Sequence, residues 1–246
     1  MRTVTFLALI LCTSFYAFAQ DDEITASEKK NIIKLNLPAL ALKNISLQYE
    51  RAVGKRISVG GTFRYMPKGK LPLLSTIKDI ADDPDFTRQA DNLKFGNYAI
   101  MPEMRFYVGK KGALHGFYIG PFVSFANYDL SLPYEYDDAG TTKTIPIAGN
   151  INAITGGLMF GAQWSLSRSI SLDWWILGPN YGISNGKLSG KQSLTASEQQ
   201  SLRDELNNLE IPLTDFTYEV NSNGATIDFD GPWAGLRAGI CIGIKF

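Results

Sequence analysis

The chain has 246 residues, 45% of them hydrophobic and 20% charged, which allows one large domain or two small ones and excludes a disordered polymer. Its 24 Lys and Arg balance 24 Asp and Glu, so the basic surplus that a nucleic-acid binder uses against phosphates is missing. One His and two Cys leave too few ligands for an ordinary zinc site, and no cofactor or metal is expected.

Arg2, the apolar run Val4 to Phe18 and the small-x-small triplet Ala17-Phe18-Ala19 form a secretory signal peptide, cut after Ala19. A membrane anchor would need a longer apolar run. Cys12 lies inside that run behind the large Leu11, which disfavours a lipid-modified cysteine. Cleavage leaves Cys241 alone, and one cysteine makes no intramolecular disulfide. Residues 20–30 are expected to be a periplasmic segment and residues 31–246 the folded domain. No run of eighteen apolar residues follows residue 20, so an exported chain of this kind is soluble or a β-barrel.

Period-two alternation then marks eight strands. The apolar members are Ile33, Leu35, Leu37 and Ala39; Ile45, Leu47 and Tyr49; Ile57, Val59, Phe63 and Tyr65; Tyr98, Ile100, Met104, Phe106 and Val108. Phe117 to Tyr128 is apolar on both faces, and its facing is not readable. Leu158, Phe160, Ala162, Trp164 and Leu166 follow, then Ile170, Leu172, Trp174 and Ile176, and finally Leu236, Ile240, Ile242, Ile244 and Phe246. Pro38, Pro102 and Pro121 fall inside these strands, where proline removes a ladder donor, so bulges are expected there.

The connections alternate as well. Residues 52–56, 109–116 and 167–169 are short, whereas 67–95, 131–152 and 180–231 are long, with only residues 41–43 short on that side. Short turns at one end and long loops at the other are the pattern of an antiparallel, up-and-down transmembrane β-barrel of the outer membrane. A soluble secreted lipocalin-like carrier shares the alternation but gives no reason for the asymmetry or for aromatics near strand ends.

Gly235 to Phe246, a clean alternation ending in Phe, resembles the terminal strand of bacterial outer-membrane proteins, and the whole mature chain resembles small eight-stranded barrels of the OmpA/OmpX type. Asn31 to Tyr65, with Leu-Asn-Leu-Pro-Ala-Leu and then Gln48-Tyr49-Glu50-Arg51, resembles more narrowly a Bacteroidetes-type family catalogued as a domain of unknown function. The resemblance implies an outer-membrane location, contact with outer-membrane lipid, assembly by the barrel-assembly machinery as a monomer, and no catalytic residues to carry over.

If the apolar faces look outward, Lys34, Glu50, Arg64, Glu103, Arg105, Asp173, Arg237 and Lys245 point into the barrel. Such an interior is just wide enough for side chains, and unpaired buried charges are costly, so these residues should form an ionic network. That network is either a plug or the wall of a polar path or ligand site. Gly60, Gly239 and Gly243 on the same face leave room for long arginines.

A lipid-modifying enzyme would need a His with Ser, Asp or Glu, and the one His, His115, lies in a short turn. The chain is therefore read as a non-enzyme whose long loops bind any extracellular ligand or protein partner. Asp82-Asp83-Pro84-Asp85 is an acidic turn without the glycine of a calcium loop. Thr195 and Glu198 make a capping box, and Leu202, Leu206 and Leu209 predict an amphipathic helix over Ser197 to Leu209, packed as a lid over the barrel mouth on apolar parts of the other long loops, such as Leu71 to Ile80.

Overall fold

The structure is a computed structural model that describes residues 29–81, 87, 90–207 and 215–246. The signal peptide, the acidic run 82–85 and Leu209 lie outside the described residues.

The elements in chain order are β1 (Asn31–Asn36), α1 (Leu37–Ala41), β2 (Ile45–Ala52), β3 (Ile57–Lys70), α2 (Leu74–Ala81), β4 (Lys94–Val108), β5 (Gly116–Asp138), β6 (Thr141–Ser165), β7 (Ile170–Lys191), α3 (Ala196–Asn207), β8 (Asp215–Asn221) and β9 (Gly224–Lys245). Among the described residues one antiparallel sheet contains all nine strands, against an expectation of eight. Each of β1 to β6 pairs with the next, β7 pairs with β9, and β9 returns to β1 with Ile32 opposite Lys245. The sheet is thus a closed ring with no free edge along β1. The additional strand, β8, pairs only with the upper part of β9, from Asp215 opposite Asp230 to Asn221 opposite Gly224.

The three prolines do not make bulges. Pro38 is not in a strand: β1 stops at Asn36, whose side chain caps α1 by accepting from the Ala39 N–H at 3.2 Å, and Pro38 occupies the first turn, where its missing donor costs nothing. Pro102 and Pro121 remain in β4 and β5, and the register runs through them unshifted, with Ile100 opposite Phe125, Glu103 opposite Phe122 and Phe106 opposite Ile119. The register shifts elsewhere, between Met66 and Gly69, Phe160 and Gly161, and Trp175 and Gly178.

Residues 131–152 and much of 180–231, expected as loops, are strand. β5 and β6 run on to a two-residue turn at Ala139-Gly140, both at positive φ (53° and 81°), as a type I′ hairpin requires. The Asp137 carboxylate accepts from the Gly140 N–H at 2.8 Å. The alternation persists through this region but with its polarity reversed, which is why it escaped an outward-apolar template. In the ring, β6 turns Ile154, Leu158 and Phe160 outward; above it, the outward positions are Thr144, Asn150 and Asn152, while Ile145, Ile147 and Ile151 are buried on the inner face. Ala162 is a local exception: expected outward, it is fully covered, paired between Phe117 and Trp174.

On that inner upper face sits α3. Its capping box forms in both directions: the Thr195 N–H donates to Glu198 Oε2 at 2.8 Å and the Glu198 N–H to Thr195 Oγ1 at 3.3 Å. Leu202 and Leu206 are buried against Tyr136, Ile145, Ile147, Val220 and Ile227. The helix therefore packs on the extended sheet, not on the segment Leu71 to Ile80. The apolar residues it meets belong to the long connections 131–152 and 180–231, as expected of a lid, but these are strand rather than loop.

Candidate functional site

Three cations and three carboxylates meet inside the ring. β1 supplies Lys34, β2 supplies Glu50, β4 supplies Glu103 and Arg105, β7 supplies Asp173 and β9 supplies Arg237, each at an inward position of its alternation. Lys34 donates to Glu50, to Asp173 at 2.6 Å and to the Gln163 side-chain oxygen at 2.9 Å. Arg105 donates to Glu103 and Asp173, both at 2.6 Å, and to Gln48 at 3.1 Å. Arg237 donates to Glu103 at 2.6 Å and to Thr62 at 2.7 Å, and its guanidinium lies 4.1 Å from the Trp175 ring centroid. All six side chains are at least nine-tenths buried.

Aromatic and hydroxyl donors complete the network. Tyr118 and the Trp175 indole donate to Asp173 at 2.8 and 3.0 Å, and Tyr107 and Ser58 donate to Glu50. Each carboxylate therefore has several donors, the condition under which buried ion pairs are tolerated. Gln48, Ser58, Thr62 and Gln163 were legible in the sequence as inward partners of the alternation. Tyr118 was not, because β5 is apolar on both faces, whereas Trp175 shares the face of Asp173 in the alternation of β7.

Two expected members stand apart. Lys245, near the end of β9, donates to Ser165. Arg64 has no carboxylate partner among the described residues, and its Nε is buried without a hydrogen bond. The glycines also serve differently from expectation. A Cβ on Gly243 would meet Lys34 Cγ at 2.9 Å, so that glycine makes room for a lysine, whereas Gly120 faces Arg105 and Gly239 faces Asn36.

Above the network the ring encloses a cavity of about 190 Å³. Arg64 and Arg237 are on its wall, with Phe122, Tyr128, Trp233 and Asn180. Tyr128 stacks on Trp233 with ring centroids 4.9 Å apart and on Phe95 at 5.7 Å. No group of three or more His, Cys, Asp and Glu able to hold a metal occurs among the described residues. His115 sits in the turn before β5, far along the strands from this cavity; burial, then Lys111 and Lys245, lower its pKa below 6.5.

A protein-family model matches residues 4–181, and the chain belongs to that family, "Protein of unknown function (DUF3575)". No curated protein matches the sequence. Among solved structures, the translocator domain of autotransporter NalP from Neisseria meningitidis is similar at 8% identity and a TM-score of 0.38, over 100% of this chain and 98% of that one. A likeness at that level carries no argument about this chain.

Proposed function

We propose that this chain is a small outer-membrane β-barrel with a plugged, charged interior, a structural or binding protein that meets its ligand or partner through the parts that stand beyond the bilayer. The observation that carries the reading is the belt of exposed apolar side chains around the closed ring. Tyr98, Ile100, Phe106 and Val108 on β4, Phe117 and Phe125 on β5, Trp174 on β7 and Leu236, Ile240 and Ile244 on β9 are each 44% or more exposed. From Tyr98 to Val108 is about 34 Å along the strand, or roughly 26 Å of height at a tilt of about 40°, the height of the apolar band of outer-membrane barrels. Tyr65 and Tyr98 mark one rim of the belt and Phe106 and Phe117 the other, where aromatic girdles belong.

In water the same belt would be an apolar surface far larger than a soluble monomer carries, which disfavours the lipocalin-like alternative. A lipid-modifying enzyme has no observation in its favour: Glu50, Glu103 and Asp173 are all engaged by cations. The reading makes the chain a client of the barrel-assembly machinery and a non-enzyme. Cell fractionation with heat-modifiable gel mobility tests it. Recovery of the mature chain as a detergent-free soluble monomer overturns it.

A further inference from the structure

The charges inside the ring do not balance. Lys34, Arg105 and Arg237 are matched by Glu50, Glu103 and Asp173. Two inward cations are left over, Lys245, which donates to Ser165, and Arg64, which lies on the cavity wall rather than in the network. Its Nε and that of Arg237 are both buried donors without an acceptor. A half-buried guanidinium on a cavity wall, with no carboxylate partner among the described residues, is a site for an oxyanion. Beside it, Phe122, Tyr128 and Trp233 form an apolar and aromatic wall. The cavity, at about 190 Å³, is more than ten times the ~10–15 Å³ that one water needs.

We propose that this cavity is a binding site for a small organic anion, a carboxylate on an aromatic or apolar body, with the carboxylate on Arg64 and the body against Phe122, Tyr128 and Trp233. Arg237 is already committed to Glu103 and Thr62, so it contributes shape rather than free charge. The inference concerns the interior of the ring and stands whatever surrounds the ring outside.

Calorimetric titration of the folded, detergent-solubilised mature protein tests it with three probes. Phenylacetate carries both features, phenylethylamine keeps the body and reverses the charge, and inorganic phosphate keeps negative charge and has no body. Phenylacetate should bind in the millimolar range or tighter, and each of the others at least roughly tenfold more weakly. Arg64→Gln should weaken phenylacetate at least about tenfold. Ala153→Leu, which narrows the cavity and leaves Arg64 in place, should weaken phenylacetate at least about tenfold and provides the test if Arg64→Gln does not fold. Heat-modifiable mobility reports that each variant is folded. No phenylacetate binding by the parent protein, equal binding of phenylethylamine, phosphate binding as tight as phenylacetate, or binding indifferent to the substitutions overturns the proposal.

Discussion

The proposed plug is most open to test at Asp173. It accepts from Lys34 and Arg105 at 2.6 Å, from Tyr118 at 2.8 Å and from the Trp175 indole at 3.0 Å, with no solvent exposure. Asp173→Asn keeps the shape and one acceptor oxygen but removes the charge, leaving Lys34, Arg105 and Arg237 against Glu50 and Glu103. Removing one partner of a buried ion pair costs about 3–5 kcal/mol. That is about two to four powers of ten in the unfolding constant. Adding Lys34→Met restores the balance at two against two, and the pair should recover about 0.5–3 kcal/mol as coupling. The control is Asp129→Asn, which breaks the half-exposed Lys68–Asp129 pair and should cost no more than about 1 kcal/mol. Urea titration of the folded protein in detergent, followed by tryptophan fluorescence and gel mobility, gives all four values. If Asp173→Asn falls within about 1 kcal/mol of the parent, the interior charges are hydrated and the plug is a water-filled path.

Leu206→Ala should cost about 2–5 kcal/mol in the packing of α3 on the extended sheet and raise protease cleavage within Ala196–Asn207, while the ring keeps its heat-modifiable mobility. Thr195→Ala should weaken α3 by about 1 kcal/mol, read as faster amide exchange over Ala196–Asn207. Cys241, fully buried on the inner face, should resist maleimide until the protein is unfolded, whereas a spin label at Ile240 in a Cys241→Ala background should meet a lipid-soluble quencher; the opposite pair of results would invert the register of β9. His115, whose folded pKa is lowered by burial and then by Lys111 and Lys245, binds its proton more readily when unfolded. Its neutral form costs nothing above pH 6.5, and stability should fall as the pH drops below that value, a decline that His115→Gln removes in a denaturant series from pH 7.5 to about 5.

The inward face of the ring was legible because alternation constrains every strand in the same way: once Ile240 faces out, Arg237 and Cys241 must face in. Even so, β5 could not be read, since Tyr118 and Phe122 turn inward with the same hydropathy as Phe117 and Phe125 outside. The partners of each charge were not legible at all. Lys34 meets Asp173 across β1, β9 and β7, and Arg64 differs from Arg105 only in which residues stand opposite it. Sequence spacing within one strand carries no record of the stagger between strands that brings such residues level. Of the three prolines, Pro38 lies in the helix that follows β1, while Pro102 and Pro121 sit in strands whose register does not shift.

The extent of the strands was the larger omission, and it has one physical cause. Along β5, β6, β7 and β9 the apolar side chains change faces. On β7, Tyr181 and Ile183 still point outward and are about two-thirds exposed, whereas farther along Leu188 turns in to pack beside Leu202 and Leu206. On β9, Leu236 points outward, but Ala225 and Ile227 near its start are buried under α3. A strand in one solvent has no reason to invert in this way. A strand that leaves an apolar surrounding for water must, because its outer face then needs polar side chains and its inner face becomes the one to bury. The inversion falls at Asn127 on β5, Asn152 on β6, Asn185 on β7 and Asp230 on β9, all outward-facing positions that pair across the sheet, Asn127 with Asn152, Asn152 with Asn185 and Asn185 with Asp230. One row of polar residues at a single level of a tilted sheet is what a membrane boundary would write into four strands at once. A charged substitution just below that row, Ile154→Lys, should therefore impair insertion, whereas Asn150→Lys just above it should be neutral. Equal tolerance of the two would remove the boundary and leave the belt without its explanation.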